Sequence, residues 1–106
     1  MAAVISNYVK LVPGRVVAMH FRDHAVAVRD ITDPIRKVLV KRQSLLFYVD
    51  EVDGAQVDMI YSILSEKHAQ EFSGYLEGKK YVGYTFGVVK EAAGFVPPKV
   101  SWVRPR

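Results

Sequence analysis

The chain has 106 residues, room for one domain around one hydrophobic core. Half of them are apolar and a quarter charged, which excludes a disordered chain, and the net charge of +4 admits a polyanionic partner without requiring one. There is no cysteine, so disulfides, thiolate metal sites and a cysteine nucleophile are excluded. The opening MAAVISNYVKLVPG lacks a basic leader and is interrupted by Ser6, Asn7 and Lys10. It reads as neither a signal peptide nor a membrane span, and no later run reaches about 18 apolar residues. The expectation is a cytoplasmic single domain over residues 1–106 without a membrane partner, with residues 1–14 as an N-terminal arm.

Val16 to Phe21 and Ala25 to Ile31 read as two strands around a turn at Arg22-Asp23-His24. Lys37 to Arg42 is a further strand, or Ile35 to Arg42 continues into Leu45 as one long bent strand; periodicity does not separate the two. Asp53-Gly54 is the pair favoured by a type I′ hairpin turn, because both central residues need positive φ. A two-residue loop sets Val52 against Ala55, Tyr48 against Met59 and Phe47 against Ile60. In that register one face carries Leu45, Phe47, Val49, Ile60 and Leu64 and is assigned to the core. The other carries Leu46, Tyr48, Val57, Met59 and Tyr61, which suits a half-covered or ligand-binding surface.

Ser65 suits a helix N-cap, with Glu66 in the first turn. Ala69, Phe72, Tyr75 and Leu76 fall at helical spacing, and Gly78 suits the residue after the helix. One helix is therefore expected over Ser65 to Glu77. Tyr81 to Lys90 alternates as a strand, in which Gly83 and Gly87 imply a sharp bend, a bulge or a close approach of another backbone. A last strand covers Val100 to Val103, and residues 104–106 form a basic tail.

The order of strands, helix and strands resembles the OB-fold. The resemblance is one of layout over about two thirds of the chain and rests on no sequence signature. It implies a mainly β protein, a small OB-like β-barrel with one helix between the third and fourth barrel strands. The first thirty residues hold more strand than five barrel strands require. The resemblance further implies binding of single-stranded nucleic acid or oligosaccharide across the second and third strands; the function expected here is binding of single-stranded nucleic acid, DNA ahead of RNA, with little sequence preference. Tyr48, Met59 and Tyr61 would form the platform, and Arg36, Lys37, Lys41, Arg42 and Arg104 would follow the phosphates.

Each of these residues also has a plainer reading. Tyr48 and Tyr61 suit amphipathic rings at the edge of a core. The run RKVLVKR suits a solvated edge strand whose lysines discourage pairing. Asp50, Glu51, Asp53 and Asp58 make an acidic hairpin tip that would repel phosphate. His20, His24 and His68 do not converge, so no metal site is expected. Phosphate-loop, dinucleotide and nucleophile-elbow motifs are missing, so neither an enzyme nor a cofactor is expected. The alternative function is a protein-interaction module that forms a homodimer through an exposed β-edge.

Overall fold

Apolar side chains at every second position draw five strands into one antiparallel sheet. They are β1 (Val17–Thr32), β2 (Leu39–Val52), β3 (Ala55–Ile63), β4 (Tyr84–Val89) and β5 (Lys99–Pro105), in the order β3-β2-β1-β4-β5. The computed structural model describes residues 7–33, 35–94 and 96–106, apart from the side chains of Arg29, Ile31 and Arg42. The mainly β expectation holds, and Lys41 and Arg42 belong to one long strand with Leu45.

The turn expected at Arg22-Asp23-His24 is instead a bulge inside β1. Arg22 is an extra residue between the pairs Phe21↔Val49 and Asp23↔Tyr48, and Asp50 is an extra residue of β2 one step earlier. The two offsets cancel, so β1 runs on through both.

The bulge in the next ladder does not cancel. Glu51 pairs with Gln56, but Val49 pairs with Met59, so Val57 and Asp58 of β3 stand against Asp50 alone. Beyond this point the register expected from the turn is shifted by one, and a one-residue slip exchanges the two faces of a strand. Tyr61 consequently lies opposite Phe47, where Ile60 was expected. Tyr61 is 4% exposed and Leu64 63% exposed, which reverses the assignment made from the sequence.

Among the described residues the sheet does not close into the expected barrel. β3 and β5 are the two ends of the sheet, with no ladder between them among the described residues. Each edge finds another partner at one point. Asn7 to Val9 lies along β3, with Val9 N–H donating to the Ile60 carbonyl at 2.9 Å and Ile60 N–H to the Asn7 carbonyl at 2.8 Å. On the β5 side the Val100 N–H donates to Glu71 Oε2 at 3.0 Å.

The single helix expected over Ser65 to Glu77 is divided. It comprises α1 (Glu66–Gln70), α2 (Ser73–Leu76) and a 3-10 segment, Glu77–Gly83. Ser65 does cap α1, its Oγ accepting from the His68 N–H at 3.3 Å. The break falls at Phe72, whose ring is fully buried against Phe21, Phe47 and Phe86. Tyr81, expected in a strand, closes the 3-10 segment with its ring in the same core. Phe21 is the centre of this cluster, stacked on Phe47 at 4.0 Å and on Phe86 at 5.2 Å. Such ring pairs add to the burial of area that holds the sheet to its helical cover.

Of the two glycines expected in one strand, Gly83 ends the 3-10 segment and Gly87 lies in β4. The Trp102 indole of β5 covers Gly87 so closely that a Cβ would overlap the ring. The C-terminal tail is not free either: Arg106 N–H donates to the Gly83 carbonyl at 2.8 Å, and its guanidinium meets Glu51 at 3.3 Å.

Candidate nucleic-acid interface

Three histidines fasten the body of the molecule, each in its own polar contact. His68 Nδ1–H donates to Glu71 Oε1 at 2.9 Å, and the Tyr61 hydroxyl donates to His68 Nε2 at 2.8 Å. Burial lowers the pKa of His68, against the opposing pull of Glu71, and burial raises that of Tyr61. Both directions favour the neutral imidazole and the intact phenol that this pattern requires. Because Glu71 also holds Val100, the chain Tyr61–His68–Glu71 spans from β3 to β5 where no ladder does. It has the order of an acid–base triad. Its hydroxyl end is enclosed, so the arrangement holds the fold together and presents no nucleophile to solvent.

His20 Nδ1 lies 2.6 Å from Asp50 Oδ1, and its Nε2 lies 2.7 Å from the Val82 carbonyl. His24 Nδ1 lies 2.6 Å from the Tyr81 hydroxyl. Burial raises the pKa of that phenol, and the charge of Asp23 adds to the effect. Asp23 itself is held below the usual carboxylate range, first by the His24 backbone N–H and then by Lys79 at 3.1 Å. Among the described residues no group of histidines and carboxylates could hold a metal ion.

The acidic hairpin tip is not an isolated negative patch. Asp53 meets Arg15 at 3.4 Å, Asp58 meets Arg22 at 3.6 Å, Glu51 meets Arg106, and Asp50 meets His20. Lys99 is similarly matched with Glu91 at 2.7 Å. Among the described residues, five of the body's ten cations (Arg15, Arg22, Lys79, Lys99 and Arg106) are thus paired with its own carboxylates.

The expected platform is taken apart by the β3 bulge. Tyr61 is inside, and Met59 is half-buried against the core. Tyr48 alone keeps an outward position, half-buried, with the Arg22 guanidinium 5.3 Å from its ring centre. Arg104 is exposed but lies over the Trp102 ring at 4.3 Å, on β5, away from Tyr48 in the strand order.

The remaining expected cations lie together elsewhere. β1 and β2 continue beyond their neighbours, since the β2–β3 ladder ends at Leu45↔Ile63 and the β1–β4 ladder covers only Val17 to Met19. Ala27 to Thr32 and Leu39 to Ser44 therefore pair only with each other among the described residues. This two-stranded ribbon is about 20 Å long at the usual rise per residue.

Residues 27–44 hold five cations (Arg29, Arg36, Lys37, Lys41, Arg42) against two carboxylates (Asp30, Asp33), a net +3 of the chain's +4. Arg36, Lys37 and Lys41 are exposed and form no ion pair among the described residues; the side chain of Arg42 lies outside them. Arg29 and Arg42 are register partners in the β1–β2 ladder. The sequence showed these cations one by one. Their separation from the rest of the charge depends on which body cations find carboxylates, and that is decided in three dimensions.

The same ribbon carries exposed apolar side chains: Val28, Ile35, Val38 and Leu39. Val26 at its root borders an open hollow of about 330 Å³, lined also by Leu45, Ile63, Ala69 and Leu76. No helix among the described residues is long and apolar enough to cross a membrane. Comparison with family models, with curated proteins and with solved structures finds no match for this chain.

Proposed function

We propose that this protein binds nucleic acid through the β1–β2 ribbon, and not through a tyrosine platform on β2 and β3. The observation that carries this reading is the division of charge. The ribbon holds +3 of the formal +4, and among the described residues five of the ten body cations are matched to carboxylates, against none of Arg36, Lys37 and Lys41. Unmatched lysines and arginines on a projecting element suit phosphate contacts, which release counterions and make affinity fall with salt. The sheet that anchors the ribbon is read as an OB-like layout left open between β3 and β5.

Fluorescence anisotropy with labelled DNA at two salt concentrations tests the proposal. Binding that weakens steeply with salt, and that Lys37→Ala with Lys41→Ala weakens further, supports it. Absence of binding at low salt rejects it.

A second reading has its own support. Both ribbon edges lack strand partners among the described residues, and Val28 and Leu39 expose an apolar face, so two copies could pair edge to edge. Light scattering separates the readings: a monomer at all concentrations removes self-association.

A further inference from the structure

We infer that the ribbon is a minor-groove arm for duplex DNA and that Ile35 at its tip is a wedge inserted between base steps. This rests on the nucleic-acid reading above and narrows its ligand.

Single-strand binding surfaces gain affinity by stacking bases on aromatic rings. Residues 27–44 contain no Phe, Tyr or Trp. The apolar groups on the ribbon are aliphatic, which is the kind of side chain that enters between stacked base pairs from the minor groove. Ile35 is 89% exposed, the most exposed large apolar residue of those described.

Its position is held. Asp33 Oδ1 accepts from the Ile35 N–H at 2.8 Å and from the Arg36 N–H at 3.1 Å. Lys37 N–H donates to the Asp33 carbonyl at 2.7 Å, and Asp33 N–H donates to the Val38 carbonyl at 2.8 Å. Lys37 takes a left-handed conformation, φ 58°, to close this loop. An aliphatic side chain is thereby presented at the tip and followed directly by Arg36 and Lys37, with Lys41 further down the shaft. Cations beside a wedge are what the negative potential of a narrow minor groove attracts.

The dimensions add a constraint. Two strands about 4.8 Å apart, with side chains, are wider than a minor groove of about 6 Å. Entry therefore requires the groove to open, and unstacking a base step by a wedge opens it while bending the helix toward the major groove. Flexible pyrimidine–purine steps deform most readily. The ribbon should therefore prefer duplexes that contain TA or CA steps.

The test uses the full chain and a 30-base-pair DNA with a central TA step, labelled at its ends for energy transfer. The matching single strand and duplex RNA of the same sequence are the other arms. Duplex DNA bound at least tenfold more tightly than the single strand, with a rise in energy transfer on binding, supports the inference. Ile35→Ser should abolish that rise and weaken duplex binding at least tenfold, and the unaltered chain should displace a minor-groove dye. Unchanged circular dichroism of Ile35→Ser shows that the fold is retained. A bound but unbent duplex, a bend that survives Ile35→Ser, or tighter binding of the single strand or duplex RNA overturns the inference and leaves nucleic-acid binding standing. No binding in any arm overturns both.

Discussion

The body and the ribbon of this molecule follow opposite rules. In the body, aromatic rings are enclosed around Phe21, and carboxylates of the hairpin tip each find a cation or His20. In the ribbon, valine, leucine and isoleucine side chains face water and cations stand without ion pairs among the described residues. A two-stranded ribbon gains little stability by itself. Its exposed apolar and basic groups therefore do nothing evident for the fold, which is why they carry the functional argument. The difference teaches that surface charge should be counted after internal pairing and not before.

The largest effect that would sharpen this contrast is in the core. Phe72→Ala should lower stability by roughly 3–5 kcal/mol, read by urea unfolding, because its ring packs against three phenylalanines. A loss under about 1 kcal/mol would mean that the helical cover is not what completes the core. Gly87→Ala should cost about 1–3 kcal/mol, since the Trp102 indole must move aside. A change in near-ultraviolet circular dichroism should accompany it.

The buried relay gives a pH signature. The folded pKa of His68 lies below its unfolded value near 6.5, so the unfolded chain takes up a proton first. The stabilising contribution is complete above about pH 6.5 and is lost as pH falls through the folded pKa. His68→Gln should cost about 1–3 kcal/mol near neutrality, because Tyr61 and Glu71 lose good partners. It should also flatten the acid limb of stability against pH; an unchanged limb would remove His68 from this role.

The smallest effect on stability is expected in the ribbon. Lys37→Ala with Lys41→Ala should shift stability by less than about 0.5 kcal/mol, while the salt slope of DNA binding falls by about two. Should these substitutions unfold the protein, the division into a structural body and a functional ribbon would fail.

Much of the fold could be read in the chain because its signals are local. Asp53-Gly54 marks the hairpin, Ser65 the helix start, and alternation marks the strands. The candidate site was harder to read because it depends on offsets. One extra residue in β3 moves Tyr61 indoors and leaves Tyr48 without its expected companion. No local pattern announces such a bulge, since Val57, Met59 and Tyr61 alternate equally well on either face.

From its residue order alone this chain determined a small, cysteine-free, mainly β protein with a tight hairpin and a helical connection, because turn chemistry and side-chain period act over a few residues. Folding in three dimensions decided the rest: that β1 and β2 outrun their neighbours, that the sheet stays open between β3 and β5, and that three quarters of the net charge lies on the ribbon. Those outcomes depend on which distant groups meet, and a carboxylate from one strand cancels a cation from another only after both have been brought within a few ångströms.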